Sequence, residues 1–129
     1  MKIALFSLKS NLKYKRDIAK EVRKQGYVIT TTNPNIVISV GGDGTFFFAE
    51  RKYPFIPKIL IRKSKICIKC QNIPLSRMLR YLHQKRYTIE HLPLIEARVN
   101  QKKITGMNDI IIRNKHPQYA LRFSLRINN

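Results

Sequence analysis

The glycine-rich pentapeptide GGDGT, at residues 41–45, constrains the fold of this chain more than any other feature. It follows the apolar run of residues 36–40 and contains three of the chain's five glycines. A buried strand that turns through glycines into a helix is typical of phosphate-binding sites. Glycines let the backbone approach an anion, and the first N–H groups of the helix point at it. The sequence therefore predicts a phosphate site here.

An acidic residue lies inside this glycine-rich stretch. A carboxylate next to a bound phosphate would repel it, so Asp43 needs a chemical role to be useful there. It could accept a proton from an attacking hydroxyl group, or help to hold a metal ion. The structural alternative is a tight turn with an acidic helix cap.

The composition of the chain fits either a polyanionic ligand or, as the structural alternative, a generally basic proteome or a solvated surface rich in lysine. Its 129 residues suit one ordinary domain, or a small domain with part of another. It has 26 basic residues against 7 acidic ones, a formal net charge of +19. Such a surface attracts nucleotides, polyphosphate or nucleic acid. The basic residues are spread along the chain and form no separate tail, so we do not expect nucleic acid to be the main partner.

Nothing in the sequence predicts secretion or membrane insertion. The N-terminus lacks a small-residue cleavage pattern, and no apolar run approaches the length of a membrane span. Two cysteines without a secretion signal favour the cytoplasm.

The two cysteines have the spacing of half a zinc site. No second pair exists, and the three histidines are too dispersed to complete a site. In an extended segment, Cys67 and Cys70 would also point to opposite faces. We therefore predict structural thiols at both positions and assign no metal ligand.

The first two thirds of the chain alternate between strand and helix patterns. This order, with continuous apolar strands, predicts an α/β fold with a Rossmann-like parallel sheet and flanking helices over residues 1–88. Ligands of open sheets bind outside the carboxyl ends of the strands, where GGDGT falls. The predicted elements are strands at 2–8, 27–31, 36–40, 58–61 and 65–68, with helices from Ser10 or Asn11 to Gln25 before Gly26, from Thr45 to Lys52, and from Pro74 onward.

From about residue 89 the apolar pattern has a period of two. Apolar and polar residues alternate over 95–99 and 119–127, which is typical of antiparallel strands with one exposed face. Residues 89–129 therefore predict the start of an antiparallel all-β domain. So few strands would leave open edges. We expect this unit to be truncated, or to be completed by self-association into a homo-oligomer or by another chain.

The GGDGT loop and a second motif together resemble those of the NAD kinase family. In that family the loop is followed by large apolar residues, an alanine and often an arginine, as in residues 46–51. Asn108-Asp109, followed by isoleucines, resembles the pair with which the family holds NAD. The α/β-then-β order matches the family's two-domain plan, and residues 94–99 resemble the strand that leads into its β domain. The resemblance covers most of this chain but about the first half of a family member.

The resemblance implies phosphoryl transfer from ATP or polyphosphate to the 2′-hydroxyl of NAD, giving NADP, with Mg²⁺ or another divalent cation as cofactor. It implies that Asp43 is the base. Asn108 would bond a sugar or base edge, and Asp109 would accept from a ribose hydroxyl. The residues that it assigns to phosphate or nucleotide binding are Gly41, Gly42, Gly44 and Thr45, and those that it assigns to NAD are Asp43, Gly44, Asn108 and Asp109.

Two departures from the family pattern leave other functions open. Residues 61–68 contain no glycine where the family has a glycine-rich stretch, and the later Gly-Ser-Thr-Ala-Tyr segment is absent. Diacylglycerol and sphingosine kinases share GGDGT, so a lipid-kinase-like domain is the second interpretation, although Asn108-Asp109 weighs against it. A non-catalytic nucleotide- or polyanion-binding protein is the third.

Overall fold

The computed structural model of the chain describes residues 1–8, 12–124 and 126. They form two compact units, Met1–Glu90 and His91–Asn129. No helix in these described residues is both long and apolar enough to cross a membrane. The first unit contains β1 (Lys2–Ser7), α1 (Leu12–Lys24), β2 (Val28–Ile29), β3 (Ile36–Gly41), α2 (Asp43–Lys52), β4 (Lys58–Arg62) and α3 (Leu75–His83), and the second contains β5 (Ile95–Val99) and β6 (Lys102–Gly106).

The first unit is built on a four-stranded parallel sheet in the order β2-β1-β3-β4. Strand β3 lies between two neighbours, and all six of its residues are buried. This explains why its sequence shows no polar alternation. The predicted α/β fold with a parallel sheet is confirmed. Strand β2 is shorter than predicted and has only two residues.

Helices cover both faces of this sheet, because successive side chains of a strand point in opposite directions. Ile38 belongs to the core cluster that contains Val22 of α1 and Leu79 of α3. Its neighbour Val37 belongs to the cluster that contains Ala49 of α2. All five side chains are fully buried. Complete burial of an aliphatic side chain stabilises the fold by about 1.5–3 kcal/mol, so both layers contribute to the stability of the first unit.

The helix ends follow the glycine and proline signals of the sequence. Gly26 follows α1 with a φ of 80°, the left-handed conformation that favours glycine at a helix end. Pro74 directly precedes α3, where its missing N–H costs nothing. The predicted caps of α1, Ser10 and Asn11, lie outside the described residues.

A buried ion pair connects α2 to β4. The side chain of Lys58 is only 4% exposed, and its Nζ donates to the Glu50 carboxylate. It also donates to the carbonyls of Tyr53 at 2.8 Å and Ile56 at 2.7 Å, so the three protons of the ammonium group have three acceptors. Glu50 accepts a further bond from the N–H of Phe55 at 2.9 Å. The spacing of these residues gave no sequence signal for this network.

The second unit contains an antiparallel hairpin of β5 and β6. Strand β5 was predicted from its alternation, whereas β6 was not. Glu96 of β5 pairs with Lys103 at 2.5 Å and with Arg98 at 3.1 Å. The hydrogen bonds from Lys103 and then Arg98 lower the pKa of Glu96. Water screens these exposed pairs, so they add little to stability.

Two predicted strands are not found. Residues 119–124 and 126 form no strand, and the other residues of that predicted strand, Leu125 and Ile127, lie outside the described part of the chain. Residues 65–68 bend instead of extending, although an isolated bridge joins Ile61 to Gln71. An alternating pattern needs a neighbouring strand to pair with, and in the described residues neither segment has one.

Candidate active site at the carboxyl edge of the parallel sheet

The glycine turn begins where β3 ends. Gly41 is the last residue of β3, and its carbonyl accepts a hydrogen bond from the N–H of Lys63 at 2.8 Å. A Cβ at Gly41 would lie 2.7 Å from the Cβ of Thr45, and one at Gly42 would lie 2.5 Å from the Oγ of Ser64. Close packing therefore requires a glycine at Gly41, and a side chain at Gly42 would have to displace the Ser64 hydroxyl.

Helix α2 begins two residues earlier than predicted. It starts at Asp43, so Asp43, Gly44 and Thr45 form its first turn, and Gly42 alone connects the end of β3 to the helix. The cap residue Gly42 has an extended φ of −126° and no side chain to bond the first N–H groups. A helix that begins in this way presents unsatisfied N–H groups and the positive end of its dipole. Both favour an anion.

The side chain of Asp43 contacts a segment that the sequence analysis did not connect with it. Its Oδ2 accepts a hydrogen bond from the N–H of Ile68 at 3.0 Å, and its Oδ1 accepts one from the N–H of Lys69 at 3.2 Å. The Sγ of Cys67 lies 3.3 Å from Oδ1. Both N–H donors belong to the backbone, so no residue type in the sequence could have revealed the contact.

The two cysteines are joined by a disulfide, which corrects the prediction of separate thiols. That prediction assumed an extended segment, in which the two side chains diverge. The observed bend brings the two Cα atoms to 5.4 Å, within the range of a disulfide. Since Cys67 Sγ carries no proton in the disulfide, its approach to Asp43 is a van der Waals contact and not a hydrogen bond. The disulfide also lies near the start of the site, with Cys70 Sγ 4.0 Å from the Gly41 carbonyl.

The space that a side chain at Gly44 would occupy is open. A Cβ at this position would meet nothing within 4 Å among the described residues, in contrast to Gly41 and Gly42. Packing among the described residues therefore gives no reason for a glycine in the first turn of α2. A bound group that approaches the backbone closely would give one.

A cavity of about 510 Å³ lies beside the site, on the face of the sheet that α1 and α3 cover. The residues of GGDGT do not line it. Arg62 and Lys63 contribute positive charge to it, and the Nζ of Lys63 stands 4.2 Å above the ring of Tyr14. Asp17 is the acidic residue among its lining residues. The cavity is thus a basic hollow next to the glycine turn.

The second predicted motif lies in the second unit. Asn108 and Asp109 follow β6 and are both exposed. A Cβ at Gly106 would clash with the backbone carbonyl of Asp109 and lie 3.0 Å from Cγ1 of Ile110. The chain therefore turns back tightly over Gly106, which leaves the side chains of the Asn-Asp pair accessible to solvent.

The described residues contain no cluster of three or more histidine, cysteine, aspartate or glutamate side chains that could hold a metal ion. Asp43 is the carboxylate in the first turn of α2. A divalent cation at this position would therefore need most of its ligands from a bound phosphate and from water, which is how Mg²⁺ is commonly held.

Comparison with known proteins identifies a similar protein. No family model matches the chain. The chain is similar to the NAD kinase of Sulfurisphaera tokodaii, with 31% identity over 108 residues, which cover 82% of this chain and 42% of that protein. The chain therefore spans about two fifths of the length of this curated relative. The similarity supports a relationship with the NAD kinase family and with kinase-type transferases.

Proposed function

We propose that this chain forms the nucleotide-binding part of an NAD kinase, which transfers a phosphoryl group from ATP or polyphosphate to the 2′-hydroxyl of NAD and releases NADP. The observation that carries the proposal is the position of Asp43. Its carboxylate lies in the first turn of α2, directly after the buried central strand, beside N–H groups that no side-chain cap satisfies. The name of the similar protein agrees with this chemistry.

Asp43 acts as the base in this proposal. The 2′-hydroxyl is a poor nucleophile, and its proton passes to the Asp43 carboxylate as the new bond between oxygen and phosphorus forms. The bond between that phosphorus and the leaving ADP, or the shortened polyphosphate, breaks at the same time. Two of the roughly four lone-pair positions of the carboxylate accept the N–H groups of Ile68 and Lys69, so positions for the hydroxyl remain.

The glycine turn holds the phosphates. The backbone N–H groups of Gly41, Gly42, Gly44 and Thr45 donate to phosphate oxygens, and the helix dipole of α2 adds to the attraction. The open space above Gly44 admits a close approach to the backbone. Arg62 and Lys63, which line the neighbouring cavity, raise the local concentration of the polyanionic donor.

A divalent cation would be held at this site mainly by the phosphates of the donor. When bound, Mg²⁺ neutralises the charge that develops on the transferring group. The described residues offer it no protein cage, and Asp43 is the side chain at the turn that could contribute an oxygen.

The Asn-Asp pair of the second unit holds NAD. Asn108 can donate to and accept from a sugar or base edge, and Asp109 can accept from a ribose hydroxyl. Both are exposed, so substitution of either leaves the hairpin intact. The role is tested by measuring NAD affinity in Asn108→Ala and Asp109→Ala.

The experiment that tests the function is an NADP-formation assay on the 129-residue chain with Mg²⁺, with ATP and polyphosphate offered separately. We expect NADP from at least one donor, and about 10³-fold slower formation of NADP by Asp43→Asn. Diacylglycerol, offered as the acceptor in a parallel reaction, should remain unphosphorylated.

Other outcomes would replace the proposal. Phosphorylation of diacylglycerol but not of NAD would favour a lipid kinase. Binding of ATP and NAD without turnover would leave a nucleotide-binding protein. Binding of duplex nucleic acid with a steep salt dependence, and no affinity for NAD, would indicate a polyanion-binding protein.

A further inference from the structure

The Cys67–Cys70 disulfide closes a small ring whose two inner residues hold Asp43. Ile68 and Lys69 are the residues between the cysteines, and their N–H groups donate to the two oxygens of the Asp43 carboxylate at 3.0 and 3.2 Å. We propose that this disulfide is a positioning element for Asp43, and that reduction of the disulfide releases the carboxylate and lowers phosphoryl transfer. Only the effect on transfer rests on the proposed function.

The position of the ring on Asp43 depends on few contacts. The side chain of Ile68 is 87% exposed, and that of Lys69 is exposed as well, so neither packs the ring onto the rest of the unit. The segment before the ring is held by Arg62, whose Nε donates to the Ser64 carbonyl at 3.1 Å. In the ring itself, the contacts to Asp43 and the approach of Cys70 Sγ to Gly41 are the described links to the site.

The disulfide favours these contacts by restricting the backbone. In the reduced chain, residues 67–70 can rotate their N–H groups toward water more easily, because among the described contacts only the bridge from Ile61 to Gln71 next to the ring and the hydrogen bonds to Asp43 then favour the bend. In the oxidised chain the ring keeps both donors on the carboxylate. Coupling of this kind is reciprocal: if closing the disulfide favours the hydrogen bonds to Asp43, then those bonds favour the disulfide by the same factor.

The redox step needs a dithiol reductant. The Sγ–Sγ bond breaks, Cys67 and Cys70 each take one electron and one proton, and the reductant becomes a disulfide. An intracellular disulfide of an ordinary protein is commonly catalytic or redox-sensing, which fits a pair placed against a catalytic carboxylate.

The orientation of Asp43 matters because a base acts only when it points at its proton. Misplacement of a catalytic group by about 1 Å can cost about 10²-fold in rate. We expect reduction to lower kcat by about tenfold and to change KM for NAD little, because the ring holds the base and not the substrate. Cys67→Ser with Cys70→Ser should reproduce the reduced enzyme and should not respond to dithiothreitol.

The decisive experiment measures the redox equilibrium of the pair and needs no activity. The full chain is equilibrated with mixtures of reduced and oxidised dithiothreitol, and the dithiol fraction is read by thiol alkylation and mass spectrometry. Asp43→Ala should favour the dithiol by about tenfold, or about 30 mV for a two-electron couple. Asp43→Asn, which keeps one acceptor oxygen, should give a smaller shift. Glu21→Gln removes a carboxylate elsewhere in the first unit and should give none.

A second measurement covers the case in which a variant does not fold. Amide hydrogen exchange of Ile68 and Lys69 in the wild-type chain should become at least threefold faster on reduction, with the β3 amides unchanged. An equal redox equilibrium in wild type and in folded Asp43 variants would overturn the proposal, and so would unchanged exchange at both amides. A rise in kcat on reduction would overturn its functional part.

The two proposals can fail separately. If no state of the chain forms NADP but Asp43 shifts the redox equilibrium, the proposed function is wrong and the coupling stands. If NADP is formed and the redox equilibrium does not depend on Asp43, the proposed coupling is wrong and the proposed function stands.

Discussion

The carboxylate of Asp43 accepts a hydrogen bond at 3.0 Å from the backbone N–H of Ile68, which lies 25 residues further along the chain. The bond connects the first turn of α2 to the segment between β4 and α3. The same carboxylate is the candidate base of the proposed reaction. One side chain therefore both connects two segments and belongs to the first turn of a helix.

Substitution of Asp43 should separate these two roles. Asp43→Asn keeps the shape of the side chain and one acceptor oxygen, so we expect the free energy of unfolding to fall by about 1 kcal/mol or less. Phosphoryl transfer should fall by about 10³-fold, within the range for loss of a general base. Denaturant unfolding and NADP formation measure the two effects. Glu21→Gln is the matched control, and near-normal turnover in Asp43→Asn would remove Asp43 from the role of base.

The sequence was sufficient to predict the parallel sheet and the position of the glycine turn between a buried strand and a helix. Strand β3 is a continuous apolar run, and such a run followed by glycines has few structural solutions. The amphipathic pattern of α3 was also sufficient, because Met78, Leu79 and Leu82 are buried as their spacing predicts.

The contacts of the site could not be predicted in the same way. The bonds to Asp43 come from backbone N–H groups in a bend, and a bend without glycine or proline has no local sequence signal. The disulfide was missed for the same reason, because Cys67 and Cys70 approach each other only when the chain bends. Alternation was also misleading for residues 119–124 and 126, since a period of two predicts a strand only where a neighbour is present to pair with it.

Substitution by alanine should affect the stability of the chain differently at Gly44 and at Gly41. Gly44→Ala places a methyl group in open space and removes a glycine from a helix, so stability should be unchanged or higher by about 0.5–1 kcal/mol. Gly41→Ala places the methyl group against Thr45 and should destabilise the chain by about 1–3 kcal/mol. Thermal unfolding measures both effects.

If Gly44 serves ligand approach, Gly44→Ala should weaken ATP binding by about tenfold or more although the fold is intact. Isothermal titration with ATP measures this loss. Unchanged affinity in a stable Gly44→Ala variant would contradict a close approach of the ligand to the first turn of α2.

Lys58 should be among the most sensitive charged residues for stability. Lys58→Ala leaves the carboxylate of Glu50 without its cation and two carbonyls without their donor, so we expect a loss of about 3 kcal/mol in the free energy of unfolding. Lys20→Ala, on the exposed side of α1, should change it by about 0.5 kcal/mol or less. Equal unfolding midpoints for the two variants in urea would show that the buried pair does not stabilise the fold.

Ionisation of Tyr27 should lower the stability of the first unit at alkaline pH. Its side chain is buried, and its hydroxyl donates to the Leu79 carbonyl at a long 3.5 Å. Burial, and to a lesser degree the neighbouring Tyr87, raises the pKa of Tyr27, because the charged phenolate is poorly solvated there. An unfolded tyrosine has a pKa of about 10. The stability from Tyr27 is therefore fully present below about pH 10 and is lost as the pH rises through the higher folded pKa.

Tyr27→Phe removes this dependence. At neutral pH the variant should lose about 1 kcal/mol or less, since a hydrogen bond of that length is weak. Above about pH 10 the stability of the wild type should fall toward that of the variant. Tyr27 ionises first in the unfolded wild type, and this ionisation stabilises the unfolded state, whereas the variant has no hydroxyl at this position. Urea unfolding at a series of pH values measures both curves. Tyr119→Phe, at a position that is 65% exposed, should run parallel to the wild type. Parallel curves for Tyr27→Phe and the wild type would mean that Tyr27 titrates alike in the folded and unfolded chains.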